Sequence, residues 1–139
     1  MGRFIVAAVL LSACATAKSA PAKQRVEGPV KSIGYAEAIQ VGDTIYLSGA
    51  IARGETMEEQ VRGIFADYVA MLARFGATLD DVVKETAYTT DIEALKSANA
   101  VRLAAYGAHL PAATWVQITR LYSEKAKVEI EMTAVIGSH

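Results

Sequence analysis

The feature that most constrains the fold of this chain is one long helical pattern with β-prone segments before and after it. Apolar residues recur at 3.6-residue spacing from Met57 to Phe75, which predicts an amphipathic helix with one buried stripe. Thr56 and Glu59 have the spacing of a capping box at its start, and Gly76 is positioned to end it in the left-handed conformation. Because a helix with one apolar stripe must bury it against another element, the chain needs a sheet beside this helix.

The flanking segments supply the strands of that sheet. Before the helix, two β-prone runs at 36–40 and 44–50 are separated by the turn residues of 41–43, which predicts a hairpin. The elements predicted after it are a strand at 82–90, a helix that Asp91 caps and Gly107 ends, a strand at 114–121 and an alternating strand at 128–136. The order ββαβαββ predicts an α+β domain in which a mixed sheet carries two helices on one face.

Composition fits one globular domain without a nucleic-acid partner. The chain has 139 residues, of which 53% are hydrophobic and 21% charged, in the range of a domain with a single core. Its formal net charge is −1, and no cluster of Lys and Arg is present to bind a phosphate backbone.

The first fourteen residues have the pattern of a lipoprotein-type signal peptide. Arg3 precedes an apolar run at 4–11, which is far shorter than the roughly 20 residues needed to span a bilayer. Residues 11–14 read Leu-Ser-Ala-Cys, a lipobox, and Cys14 is the only cysteine of the chain, which favours lipidation over an ordinary secretory peptide. With Ala15 next, we expect a periplasmic protein anchored to the outer membrane. The composition of 15–28 predicts a flexible linker.

Separated blocks of sequence then carry a family resemblance, and they occur at Tyr35, 42–49, 76–84, 88–91, 110–118 and 127–131. Together they resemble the Rid (YjgF) family of reactive enamine/imine deaminases, over about 33–135. The resemblance implies a domain over 29–139 with a chorismate-mutase-like fold. It also implies a homotrimer with small-molecule clefts between subunits. No Gly-rich phosphate loop, nucleophile elbow or CxxC pair is present, so no cofactor is implied.

The resemblance also assigns candidate site residues. Glu129 matches the cleft carboxylate that positions or activates the attacking water, although a solvated strand glutamate is the alternative. Tyr35, Ser48 and Asn99 match substrate-binding positions of the family. Their alternatives are an edge aromatic for Tyr35, a small residue at a crowded strand end for Ser48, and a structural hydrogen bond for Asn99.

Two departures from the family pattern bear on the substrate. Ala113 stands where the deaminating branch has an arginine that pairs with the substrate carboxylate, and Trp115 stands where that branch often has cysteine. We expect Trp115 on the cleft wall and, with Tyr46, Tyr88 and Val135, on the sheet face that the helices leave open. An aromatic second face favours burial against another subunit.

No other catalytic pattern occurs in the sequence. His109 and His139 lack Cys, Asp or Glu at metal-ligand spacing, so no metal site is predicted. Two hypotheses therefore remain. The first is hydrolysis of small imines or enamines other than simple 2-imino acids. The alternative is a non-catalytic trimer that binds a small molecule.

Overall fold

The computed structural model describes residues 21–28 and 34–139, so the predicted signal peptide and Cys14 lie outside the described residues. The strands are β1 (Lys23–Glu27), β2 (Ala36–Val41), β3 (Thr44–Ala50), β4 (Val82–Thr89), β5 (Ala112–Gln117) and β6 (Val128–Val135). The helices are α1 (Met57–Ala73), α2 (Ile92–Ser97) and α3 (Asn99–Tyr106), with a 3₁₀ turn at Leu79–Asp81. None of the described helices has the length and apolarity needed to cross a membrane.

The strands form one mixed sheet in the order β1-β2-β3-β6-β4-β5. All neighbours pair antiparallel except β4 and β5, which are parallel. Along central β6, Val128, Ile130, Met132 and Ala134 are buried and alternate with less buried residues, because successive strand side chains point to opposite faces. The predicted α+β fold is confirmed, with the helices on one face of the sheet and the opposite face open.

Helix α1 forms as its sequence predicts. The Thr56 hydroxyl accepts from the Glu59 amide, and the Glu59 side chain accepts from the Thr56 amide, which completes the capping box. Gly76 follows the helix with a φ of 70°, in the left-handed region. Ile64 and Leu72, on the predicted stripe, are fully buried against the sheet, and each such side chain contributes about 1.5–3 kcal/mol.

Strand β1 corrects the predicted linker. Residues 23–27 lie inside the 15–28 segment, yet they pair antiparallel with β2, Lys23 opposite Val41. Val26 is the one buried residue of this strand, at 5% exposure, so the segment shows little apolar periodicity. Backbone pairing with an edge of the sheet, rather than side-chain burial, therefore orders these five residues.

The second predicted helix is divided into α2 and α3. Ala98 has a ψ of −2°, and the Val101 amide donates to the Ala98 carbonyl in a three-residue step, which breaks the regular helical ladder. Strand β5 also differs, since it begins at Ala112 and ends at Gln117 rather than covering 114–121. The break keeps Ala98 buried while Arg102, on α3, turns toward the sheet.

Candidate functional site

A bulge in β3 shapes the first part of the site. Leu47 pairs with Met132 and Ala50 with Ile130, so β3 has one residue more than β6 between these pairs. The extra length falls at Ser48 and Gly49, and bulges of this kind re-aim side chains next to active sites. The Ser48 hydroxyl donates to the Ala36 carbonyl over 2.7 Å, which ties the bulge to β2.

Tyr68 fixes the same bulge from the helix side. Its hydroxyl lies between the carbonyl oxygens of Ser48, 3.0 Å away, and Ile130. Burial raises the pKa of Tyr68, so the phenol stays protonated and remains a donor. The Ser48–Gly49 backbone is thus held by α1 on one side and by β2 on the other.

Glu129 lies directly against this backbone. A β-carbon added to Gly49 would overlap the Glu129 carboxylate and would lie only 2.9 Å from its carboxyl carbon. The Glu129 carboxylate can therefore lie against this strand only because residue 49 has no side chain. The mid-strand Ser-Gly pair signals this close approach, because glycine inside a strand often marks one.

The environment of Glu129 suits a proton acceptor. Burial raises the pKa of this half-buried carboxyl, and the negative charge of Glu131 on the same sheet face raises it further. Among the described residues, no Lys, Arg or His forms an ion pair with Glu129 to oppose these effects. A carboxylate with a raised pKa and no cation is an effective general base near neutral pH.

A cleft of about 480 Å³ opens beside this backbone, a size typical of small-molecule sites. Tyr35, Ser48 and Gly49 line it, together with Asp67 of helix α1 and Arg74, the residue that follows α1. Tyr35 is 42% exposed, so its phenol is accessible to a ligand. Of the residues predicted from the sequence, Tyr35 and Ser48 line this cleft, and Glu129, which does not line it, lies against Gly49 of the same backbone.

The other three predicted residues lie near the opposite edge of the sheet, around a carboxylate that the sequence analysis missed. Glu85 is fully buried and accepts four contacts. Arg102 Nε donates to both carboxylate oxygens at 2.9 and 3.0 Å, the Tyr106 hydroxyl donates at 2.8 Å and Trp115 Nε1 at 3.0 Å. The guanidinium carbon of Arg102 lies 5.0 Å from the Tyr106 ring centroid and 5.5 Å from that of Trp115. We call these four residues the Glu85 cluster.

This arrangement corrects the expected position of Trp115. The parallel register pairs Glu85 with Ala113 and Ala87 with Trp115, so Ala113 and Trp115 face the helix side of the sheet. Trp115 is therefore not on the open face with Tyr46. The physical reason is its indole N–H, which finds a buried acceptor in Glu85.

Ala113 and Asn99 flank the Glu85 cluster. Ala113 is exposed, opposite Glu85 on the edge strand, and its methyl group can bind no carboxylate. Asn99 begins α3, one turn before Arg102, and its Oδ1 is buried without a hydrogen-bond partner. Among the described residues, Asn99 Oδ1 therefore does not make the structural hydrogen bond that was the alternative for this residue.

The predicted site residues consequently form two groups in a single chain. Strands β3 and β5 are separated by three strand spacings, or roughly 14 Å. One small ligand cannot contact both groups in the same copy. A site that uses all six predicted residues needs groups from two copies of the chain.

A larger groove of about 1270 Å³ lies between the loops that follow β3 and β5, and none of the predicted site residues lines it. Gln60, 1% exposed, joins these loops by donating to the Gly54 and Lys125 carbonyls and accepting from the Lys127 amide. Within residues 21–28 and 34–139, no group of three or more His, Cys, Asp or Glu is arranged to hold a metal ion.

The fold and this region define a class of protein, an α+β domain whose mixed sheet carries a small-molecule cleft, with the Glu129 carboxylate against the Ser48–Gly49 backbone that lines it. Comparison with known proteins gives the family. The model of the endoribonuclease L-PSP family matches residues 16–136. The chain therefore belongs to this family, which is also called YjgF or Rid.

Individual relatives agree with this assignment. A RutC family protein of Pyrococcus abyssi is 35% identical over 114 residues, which is 76% of this chain and 87% of the relative. A 2-iminobutanoate/2-iminopropanoate deaminase of Dermatophagoides farinae is 32% identical over 110 residues, 73% of this chain and 85% of the relative. Among solved structures, a YjgF family member from Mycobacterium tuberculosis has a TM-score of 0.78 at 28% identity, covering 83% of this chain and all of its own.

Proposed function

We propose that this protein hydrolyses small reactive imines and enamines, with Glu129 as the general base. The observation that carries the proposal is the Glu129 carboxylate, held against Gly49 with a raised pKa beside an open cleft. Membership of a family that contains proteins named 2-iminobutanoate/2-iminopropanoate deaminase supports the reaction type.

The chemistry needs one activated water. An enamine first tautomerises to its imine, and Glu129 then takes a proton from water as the oxygen bonds to the imine carbon. Two protons reach the nitrogen, one from solvent and the one that Glu129 took from water, which gives the tetrahedral adduct an ammonium leaving group, and Glu129 accepts the hydroxyl proton as the adduct collapses. The C–N bond breaks, ammonia leaves, and a carbonyl compound remains. No cofactor is required, because water is the only co-reactant.

The test is the rate of carbonyl formation from freshly generated imines, measured above the spontaneous rate. Glu129→Gln should reduce this rate to the spontaneous level. Glu131→Gln is the matched control, because Glu131 lies two residues along β6 on the same face and accepts instead from the Tyr88 hydroxyl. Equal activity of native protein and Glu129→Gln would refute the proposal. Saturable ligand binding without turnover in the native protein would favour the non-catalytic alternative.

Simple 2-imino acids should be poor substrates in this proposal. Their carboxylate is bonded to the reacting carbon, and the resemblance assigns its recognition to an arginine at the position of Ala113. Each charge-assisted hydrogen bond of a lost bidentate pair is worth about 1.5–3 kcal/mol. The protein should therefore act better on other small imines.

We also propose a homotrimer with the reaction sites between subunits. Three observations support it: the separation of the two residue groups, the unpaired edge of β5, and Tyr46, which is 55% exposed on the open sheet face. Light scattering of the purified protein should give three times the mass of the mature chain, and a monodisperse monomer would contradict it.

The location is a separate proposal, and it rests on the sequence of 1–28. We propose export, lipidation at Cys14 and anchoring to the outer membrane from the periplasmic side. Cys14→Ala should move the protein from the membrane fraction to the soluble fraction or leave it unprocessed. Identical fractionation of the two forms would argue against a lipid anchor.

A further inference from the structure

The guanidinium of Arg102 combines deep burial with unused donors. Its side chain is only 10% exposed, yet only Nε donates to an acceptor among the described residues. Both terminal nitrogens remain without an acceptor in the described chain. They are also not sealed from solvent, because Asn99 Oδ1 is the one fully buried side-chain polar atom there without a partner.

The Glu85 cluster holds this guanidinium in one orientation. Glu85 fixes the Nε side with two contacts, and the rings of Tyr106 and Trp115 lie against the guanidinium. A guanidinium that is fixed in this way loses little conformational entropy when its remaining N–H groups bind a partner. Its two terminal nitrogens have the fork geometry that matches a carboxylate.

The location of Arg102 connects it with the proposed reaction site. Glu85, which binds Arg102, pairs in register with Ala113, and the two residues share one face of the sheet. Ala113 is exposed and has no polar side-chain group. A cation from helix α3 thus lies beside the strand position that lacks one.

We propose that Arg102 is the anion-recognising residue of the intersubunit site. Its ligand is a small imine or enamine whose carboxylate is separated from the reacting carbon. Arg102 cannot extend toward a carboxylate on the reacting carbon, because Glu85 and the two rings hold it back against β5. The ligand must instead carry its carboxylate to Arg102. The imine or enamine part of this inference rests on the proposed function, whereas the recognition of a carboxylate by Arg102 does not.

Trp115 provides a direct measurement, because it is the only tryptophan of the chain and touches both Glu85 and Arg102. Its fluorescence is titrated with 4-oxopentanoate, whose carbonyl and carboxylate are separated, with 2-oxobutanoate, in which they are adjacent, and with butanone, which has no carboxylate. The expected result is a saturable change in which 4-oxopentanoate binds about tenfold or more tightly than the other two.

Variants separate recognition from structure. Arg102→Lys keeps the charge but loses the fork, and it should weaken 4-oxopentanoate binding about tenfold. Arg62→Lys, on the exposed side of α1, is the matched control and should bind as the native protein does.

Three outcomes would overturn the proposal. The first is the absence of a saturable signal with 4-oxopentanoate, and the second is equal affinity for all three probes. The third is native affinity in a folded Arg102→Lys protein whose trimer dissociates more easily, which would assign Arg102 to a subunit contact. Glu129→Gln should bind 4-oxopentanoate normally while it hydrolyses nothing. A failure of the hydrolysis proposal is thereby distinguishable from a failure of carboxylate recognition.

Discussion

Glu85 and Glu129 are two carboxylates on neighbouring strands whose surroundings give them opposite roles. Glu85 is fully buried and accepts from a guanidinium, a phenol and an indole, so protein donors replace the water that burial removes. Glu129 is half-buried, has no ion-pair partner among the described residues, and faces the charge of Glu131, so its ionised form is disfavoured. Burial with partners produces a structural group, whereas burial without them produces a group ready to accept a proton.

The largest expected effect concerns stability and contrasts the same substitution at both carboxylates. Glu85→Gln leaves Arg102 as an uncompensated buried charge, which should lower the free energy of unfolding by about 3–5 kcal/mol. Folding raises the pKa of Glu129, so its ionisation above that pKa costs stability, and Glu129→Gln should leave the protein unchanged or slightly more stable. Urea unfolding at neutral pH measures both. If Glu85→Gln and Glu129→Gln lower the free energy of unfolding by similar amounts, the two carboxylates do not differ in the way described.

The next effect concerns activity and depends on the contact between Gly49 and Glu129. Gly49→Ala introduces a β-carbon into the volume of the carboxylate, and displacement of the base by about 1 Å should reduce the rate about 10²-fold. The stability loss of Gly49→Ala should largely disappear in a Glu129→Ala background, where the clash is absent. Additive losses in this cycle would show that the glycine is needed for another reason.

A smaller gain should follow from a cation at position 113. Ala113→Arg should recover part of the activity on 2-imino acids, less than the roughly 10²- to 10⁴-fold that corresponds to two charge-assisted hydrogen bonds. Recovery should be incomplete because Arg102 lies near this position and repels a second guanidinium. Ala113→Lys, a charge without the fork, should recover less. If the native protein is already as active on 2-imino acids as a relative that has the arginine, the missing arginine does not limit this activity.

The smallest effect is a shift in the pH dependence of hydrolysis. Glu129 must be ionised to act as a base, so the rate should rise with pH through its pKa, which lies above the ordinary 4.5. Glu131→Gln removes the repelling charge and should move this rise toward lower pH. The rise should still stay above 4.5, since burial is the larger cause of the raised pKa. An unchanged profile in Glu131→Gln would mean that another group limits the rate.

The fold was predictable from the sequence where one element carries its own signal. The capping box of Thr56 and Glu59, the alternation along β6 and the turn at Gly42 are all local patterns, and each is confirmed. The pair formed by Glu85 and Arg102 also had a signal, because both charges occupy apolar-face positions of their elements. Two opposite charges at core positions indicate a buried ion pair.

What the sequence could not supply depends on contacts between distant segments. Strand β1 is ordered by pairing with β2, and Val26 is its one buried residue. The direction of Trp115 follows from the parallel register with β4, since β5 is largely exposed and has no alternation of its own. The overlap between Gly49 and Glu129 likewise becomes visible only when β3 lies beside β6.

Strand β1 also has a mechanical consequence. Any tension on the chain upstream of Lys23 enters the domain through this strand, and it enters at one end of an antiparallel ladder with β2. Such a pull opens the ladder bond by bond, and the apolar contacts of Val26 are nearly all that is lost with it. Under such a pull, β1 should separate from β2 first, and its residues would then extend the segment that precedes the domain. The five remaining strands, and the clefts they carry, would keep their shape.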